Sequence, residues 1–384
     1  MTPGARLSAA MAVLDRVLAG EAAEKALVNW ARKSRYAGSG DRHAVRDHVF
    51  DALRQMRSGA TLGGSLSGRG LMLGVLRSQG IDPTPLFTGE GHAPAPVTEE
   101  DAPREMTELE ALDCADWLAP RLQASLGDKF APILRLMQAR APVFLRVNAR
   151  KSDLSRAQHS LAMEDIVTRT HPLAPLALEV VEGTRKVGTS AAFSEGWVEL
   201  QDVASQVVVD ALPMKDGQKI LDYCAGGGGK ALAMAARKKV QVVAYDVDAD
   251  RMVDIRPRAK RAGVEISLAA GKGPQGLFDL VLADAPCSGS GSWRRAPEAH
   301  WRFTEERLLE LMAIQDEVLD SAKKFVAPGG ALAYATCSLL TDENDDRANA
   351  FLAANPDFSM EKELHLTPLD GGDGFYLAVM RRAK

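Results

Sequence analysis

Two of the four cysteines in this 384-residue chain sit where a thiol could do chemistry. Cys287 closes the run Asp284-Ala-Pro-Cys287, which continues Ser-Gly-Ser-Gly291, and Cys337 is the middle of Thr336-Cys-Ser338. Each segment follows an apolar run that reads as a buried strand, so two thiols and a carboxylate fall at strand ends. A thiolate is a strong nucleophile, and its addition to a ring can activate a neighbouring carbon. Alkylation of C5 of a cytosine is a reaction of this kind. C5 is a poor nucleophile until a thiolate adds at C6, with a carboxyl group hydrogen-bonded to N3 and the base drawn out of any stack. After transfer the C5 proton leaves and the thiol is expelled. The residues alone do not choose between the two thiols, and for either one taken singly the plain alternative is a buried small hydrophobe.

An alkyl donor would need its own site, and Cys224-Ala225-Gly226-Gly227-Gly228-Gly229-Lys230 offers one. Glycines let the backbone approach a ligand, and a helix N-terminus presents free N–H groups. Asp246, at the end of the next strand, suits ribose hydroxyls. Gly226-x-Gly228-x-x-Ala231 also fits a loose dinucleotide fingerprint, so a nicotinamide-dependent oxidoreductase remains an alternative, although it gives Asp284–Cys287 and Thr336–Ser338 no role. A non-catalytic RNA-binding assembly factor is a third class.

The elements that must position these residues follow from periodicity. From about Gly217 strands and helices alternate: Lys219–Cys224, Val240–Tyr245, Phe278–Asp284 and Gly330–Cys337 read as strands. Between them Ala231–Arg237, Asp250–Ala262 and Glu305–Phe325 read as helices. Such alternation predicts a doubly wound, mostly parallel sheet, whose ligands bind at the carboxyl ends of the strands. Cys224, Asp246, Asp284 and Cys337 all fall there. Upstream, Val143–Asn148, Leu176–Val181 and Trp197–Leu200 read as short strands of a small α+β module, with a helix capped by Ser152 or Asp153. A helical pattern covers 109–138. The first residues are helical, with Asp41 placed to cap a second helix. Residues 81–105, holding five prolines and few large hydrophobics, read as a linker. The division expected is thus 1–80 all-α, 81–105 linker, 106–205 helical connector and α+β module, and 206–384 an α/β catalytic domain.

Composition is that of a globular protein, 46% hydrophobic and 26% charged. A net charge of −4 argues against a large non-specific grip on phosphates, so any positive surface must be local. Arg237–Lys239 and Arg256–Arg261 read as solvated helix faces. Arg294-Arg295 beside Trp293 and Trp301 read as a cation and rings able to hold a splayed nucleotide. No apolar run approaches the roughly 18 residues of a membrane span, and Arg6, Asp15 and Arg16 break any signal peptide. Widely spaced cysteines argue against a zinc site or disulfides, so no metal is expected, and reduced thiols point to the cytoplasm.

In order and spacing the motifs resemble the RsmB/Sun-type family of RNA 5-methylcytosine methyltransferases. The glycine-rich loop ending in Lys230, the D-A-P-C-S-G-x-G segment and the T-C-S segment carry the resemblance. Leu145–Asn148, Gln201–Gln206, Pro328–Gly330, Glu343-Asn344 and Asp373–Tyr376 add to it. It runs from about Trp117 to the C-terminus; Ser39–Gln55 is similar, more weakly, to the front NusB-like domain of bacterial members. The resemblance implies a Rossmann-like class I methyltransferase domain using S-adenosylmethionine on RNA, ribosomal RNA ahead of tRNA, in a monomer. It implies Cys337 as nucleophile and Cys287 in product release. Asp284 and Lys230 would lie near base and cofactor, Cys224–Lys230 would cradle the methionine part, and Asp246 would take the ribose. In the family Leu145–Leu200 would correspond to an RNA-binding module. Two departures stand out: Gly226 and Gly227 replace the usual residue and proline of the loop, and Ser267–Lys272 lacks the acid expected after the third strand.

Overall fold

The computed structural model describes residues 1–269, 271 and 273–384. Ala270 and Lys272, part of the stretch expected to lack an acid, lie outside the described residues. The chain forms two compact units, Met1–Arg140 with Trp293–Phe303, and Ala141–Ser292 with Thr304–Lys384.

The first unit is helical. Pro3–Leu18, Ala23–Lys33, Ser39–Arg54, Met56–Leu62 and Gly68–Ser78 bury Leu7, Leu14, Val45, Val49, Leu53 and Leu71–Leu73 in one core. Asp41 does cap the third of these helices: as its third residue it accepts from Gly38 N at 3.2 Å. The stretch 81–105 is packed rather than free. Phe87 is buried in the helical core. Arg69 donates to the carbonyls of Ala95 and Pro96 at 3.0 and 2.9 Å, and Arg77 to that of Asp101 at 2.6 Å. Prolines lack N–H donors, so this coil is held through its carbonyls by arginines from the helices; composition reports the missing donors and not the arginines. The continuous helical pattern at 109–138 resolves into short helices Glu108–Ala111, Ala119–Leu126 and Phe130–Met137, the second ending at Gly127 with φ 52°.

The second unit holds two sheets among its described residues. The smaller consists of β1 (Val143–Val147), β2 (Val167–Thr170), β3 (Ala177–Glu182) and β4 (Val198–Leu200), in the order β2-β3-β1-β4 and antiparallel throughout. Asp153 caps the helix Leu154–Ala162 by accepting from Arg156 N at 2.8 Å. The larger sheet comprises β5 (Lys219–Asp222), β6 (Gln241–Ala244), β7 (Ile266–Leu268), β8 (Phe278–Asp284), β9 (Val326–Thr336), β10 (Phe358–Leu366) and β11 (Phe375–Arg382). Its order is β10-β11-β9-β8-β5-β6-β7, with β5 to β9 parallel and the last two antiparallel. Side chains alternate between two covered faces. Ile220, Leu280, Leu282 and Ala333 join one core, while Leu221, Val281, Ala283 and Tyr334 join the other. Burial on both faces is what parallel strands require. From β5 the chain winds outward to β6 and β7, then returns to β8 and β9 on the other side. The crevice between β5 and β8 is therefore the switch point where such sheets bind ligands. No helix among the described residues is long and apolar enough to cross a membrane.

Candidate active site

At that switch point a cavity of about 520 Å³ opens beyond the ends of β5, β8 and β9. Cys224, Ala225, Gly226, Gly227, Gly229, Lys230, Asp284, Cys287 and Cys337 line it. Of the catalytic and cofactor-binding residues expected from the sequence, Gly228 and Asp246 are not in its wall.

The thiols are close. Cys287 Sγ and Cys337 Sγ lie 3.5 Å apart, both half-buried. The hydrogen bond from Cys287 draws the Cys337 thiol below its usual range, against burial and Asp284, and the Lys230 ammonium adds to the lowering. Cys287 moves the other way, raised by the same hydrogen bond, by burial and by the charges of Cys337 and Glu343. A thiolate stabilised by a donor and a cation is the reactive form of cysteine. Lys230 Nζ sits 2.6 Å from Asp284 Oδ2 and 4.6 Å from the centre of the Phe375 ring. Burial lowers the lysine, but Asp284 and the neighbouring anions outweigh it, so the ammonium is held charged.

The glycine loop is built for close approach. Gly226 and Gly228 take φ of 48° and 78°, and a Cβ on Gly228 would meet Ile255 Cγ1 at 2.7 Å. Such left-handed backbone suits glycine, which gives the loop's departure at Gly226 a local reason. Asp246 braces the loop from behind. It is buried, its Oδ2 accepts from Gly226 N at 2.9 Å, its Oδ1 accepts from Asp248 N at 3.0 Å, and Arg251 lies 3.2 Å away. The small sheet reaches the same loop: Arg146 of β1 donates to Gln201 Oε1 at 2.7 Å and to the Gly229 carbonyl at 3.2 Å, and Gln201 Nε2 donates to that carbonyl at 3.1 Å. The matched motifs at 145–148 and 201–206 thus act as struts for the loop.

Wall residues to which the sequence gives no role at the site include Asp222, Phe375 and Arg258. Asp222 ends β5 fully buried, near the Ala231 N–H but with neither carboxylate oxygen in a well-formed hydrogen bond among the described residues. Burial, then the charge of Asp284, pushes it up to about 7. Its signal was present, an acid ending a strand just before a glycine run, but it was read only as part of the strand. Phe375 and Arg258 come from distant segments. Arg258 and Arg261, expected to be solvated, instead pair with Glu199 of β4, Arg261 at 2.8 Å, and Arg258 also donates to the Gly227 carbonyl. Arg237 likewise pairs with Asp210. A helix face rich in arginine was taken for surface because its acidic partners lie far off in sequence.

The expectation for Trp293, Arg294 and Trp301 is also corrected. Trp293 and Arg294 are each 3% exposed and belong to the helical unit. There Arg54 donates to the Arg294 carbonyl at 2.7 Å, and Trp301 Nε1 to that of Leu53 at 2.6 Å. His300 stacks on both tryptophans, with ring centres 4.2 and 4.3 Å away. Burial there pushes it down to about 3, so it stays neutral. Trp293 is thus core, His300 and Trp301 are half-buried against it, and of the expected set Arg295 is exposed. Elsewhere Asp345, Glu363 and His365 converge, but His365 bonds Asp345 at 3.0 Å and Tyr376 OH donates to Glu363 at 2.7 Å.

Residues 209–380 match the family model of the 16S rRNA methyltransferase RsmB/F, and residues 114–186 match that of the RsmF/B-like ferredoxin-like domain. Over 282 residues the chain is 34% identical to ribosomal RNA small subunit methyltransferase B of Salmonella arizonae, covering 69% of this chain and 65% of that protein. Residues 114–186 and 209–380 thus carry the two domains of the RsmB/F methyltransferase family. The chain spans 65% of the length of this and other curated relatives of the same name, such as that of Klebsiella pneumoniae at 33% identity. Among solved structures, that of PH0851 superposes with a TM-score of 0.77 at 23% identity, covering 100% of this chain and 99% of that one. The family fold, a Rossmann-like class I domain with a ferredoxin-like module and a helical N-terminal region, is thus the fold of this chain.

Proposed function

We propose that this protein methylates C5 of a cytosine in RNA, ribosomal RNA being the class its named relatives favour, with S-adenosylmethionine as methyl donor. The observation that carries the reading is the pair of thiols 3.5 Å apart beside the Lys230–Asp284 pair, in one cavity with the glycine loop.

The cavity wall fits the donor. Asp222 offers a buried carboxylate with no well-formed hydrogen bond among the described residues, suited to an α-ammonium group. A Cβ on Gly229 would find nothing nearer than 3.7 Å, so the loop leaves room for a ligand. When bound, S-adenosylmethionine supplies an electrophilic methyl group on a sulfonium. The protein's residues do the rest. Cys337 Sγ, as thiolate, forms a bond to C6, and the electron pair of the C5–C6 double bond becomes available at C5, which takes the methyl. Asp284 and Lys230, in the same cavity wall, would face the N3 edge and balance the charge that collects there. Loss of the C5 proton restores the double bond as the Cys337–C6 bond breaks. Cys287, its own proton in hand, protonates the departing thiolate and, having given that proton up, takes up the one released from C5. Asp246 acts through the loop it braces, with ribose contact as a second duty. The helical unit we read as the NusB-like domain, and the small sheet as a second RNA surface.

Bisulfite sequencing of total RNA from cells with and without the gene tests this. One cytosine in small-subunit ribosomal RNA should lose its protection when the gene is absent. Unchanged protection throughout, together with binding of NADH and none of S-adenosylmethionine by calorimetry, would overturn the reading in favour of an oxidoreductase.

A further inference from the structure

The two thiols are chemically alike and 3.5 Å apart, yet the reaction needs them unequal. Behind them lies a buried carboxylate that the mechanism does not use. Glu343 is 0% exposed, and its oxygens accept four hydrogen bonds. Oε1 takes Ser288 N at 2.8 Å and Gln315 Nε2 at 3.0 Å; Oε2 takes Ser338 Oγ at 2.5 Å and also Ser288 Oγ. Ser288 follows Cys287 and Ser338 follows Cys337, so one carboxylate grips the chain just after each thiol. Gln315 in turn donates to the Pro286 carbonyl at 2.9 Å, and Tyr334 OH to the Glu343 carbonyl at 2.6 Å. The other charged or titratable groups facing the pair are Asp284 and Lys230 on the cavity side and Tyr334 beneath. Of the strong charges, the Glu343 anion acts on Cys287, whereas Asp284 and Lys230 act on Cys337 with opposite signs. Cys287 thus meets an anion and Cys337 an ion pair.

We propose that Glu343 is a positioning residue that makes the two thiols unequal: it clamps both cysteine loops, and its charge keeps the proton on Cys287 so that Cys337 holds the thiolate. The roles given to the thiols rest on the methyltransferase reading, but their inequality is a property of the protein alone and is measured without RNA or cofactor. A carboxylate accepts on every side. In Glu343→Gln the amide oxygen can keep Ser288 N and Gln315, while its NH2 faces hydroxyls that can turn to accept. The clamp survives in outline and the charge is lost.

The test is competitive alkylation of the full chain by iodoacetamide between pH 6 and 10, with each thiol followed by peptide mass mapping. Thiolate, not thiol, reacts, so in the wild type Cys337 should react about tenfold or more faster than Cys287 at neutral pH. In Glu343→Gln the ratio should fall several-fold as Cys287 gains reactivity, and in Glu343→Asp, which keeps the charge, the preference for Cys337 should return. A ratio unchanged in Glu343→Gln, or lost equally in Glu343→Asp, would overturn the proposal and leave Glu343 as scaffold. If Glu343→Gln does not fold, the wild-type ratio decides: near one overturns the proposal, and a strong preference for Cys337 upholds it. A failure of the methyltransferase reading would appear in methylation assays and leave this ratio untouched.

Discussion

The two sides of the cavity are held in opposite ways. On the thiol side the polar groups behind Cys287 and Cys337 are densely bonded: Ser288, Ser290 and Ser338 bond to one another, Ser288 and Ser338 also to Glu343, Ser290 Oγ accepts from Leu339 N at 2.7 Å, and Asn344 donates to the Ser338 carbonyl at 3.0 Å, while Gln315 Oε1 goes without a partner among the described residues. On the glycine-loop side the struts are equally firm outside, but Asp222 faces inward with neither oxygen in a well-formed hydrogen bond among the described residues. A dense network fixes geometry, which covalent chemistry needs; a poorly satisfied buried carboxylate costs stability until a ligand meets it. The contrast assigns rigidity to the reacting thiols and binding energy to the other wall.

The largest expected effect is on the rigid side. Cys337→Ala should lower methyl transfer on the order of 10⁴-fold or more, as loss of a nucleophile does, in a single-turnover assay with labelled methyl donor; a fall under tenfold would break the assignment. Glu343→Ala strands several buried donors at a cost of about 1–3 kcal/mol each. Its thermal unfolding temperature should drop well below that of Glu343→Gln, and equal temperatures would show the network to be slack.

On the binding side, Asp222→Asn should weaken S-adenosylmethionine by about tenfold, the worth of one charge-assisted contact, as read by calorimetry. The same residue gives a pH signature. Its folded pKa of about 7 exceeds the ordinary 3.8. The folded, ligand-free protein therefore holds a proton that the unfolded chain releases, and stability should fall as pH rises from about 4 to 7. Asp222→Asn should flatten that slope; the same slope in the variant would contradict the carboxylate's isolation. Smallest should be Arg258→Met, which frees the Gly227 carbonyl and should change cofactor affinity by only about threefold, since a partly exposed tether contributes little.

Legibility in the sequence followed the range of the forces involved. β8 was readable to the residue because the apolar run Leu280–Ala283 ends in the acid Asp284, and β5 was readable from Ile220-Leu221, though it ends at Asp222 and not at Cys224. β10 and β11 were passed over as elements: β10 is an edge strand whose Glu361, Lys362, Glu363 and His365 break the apolar pattern, and its partner β11 was noticed only at Phe375-Tyr376. The glycine loop and both cysteines announced themselves by local spacing. Glu343 was noted beside Asn344 without a role, because its partners lie 55 and 28 residues away at Ser288 and Gln315. Trp293 and Arg294 misled for the converse reason: they adjoin the catalytic loop in sequence but pack with the helices of the other unit.

The central claim is that Cys337 and not Cys287 bonds to the base. Its most direct test is a denaturing gel of the protein incubated with substrate RNA and S-adenosylmethionine. Cys287→Ala should accumulate a protein–RNA adduct that survives denaturation, and Cys337→Ala, alone or combined with it, should form none. An adduct that persists in Cys337→Ala and vanishes in Cys287→Ala would contradict the account.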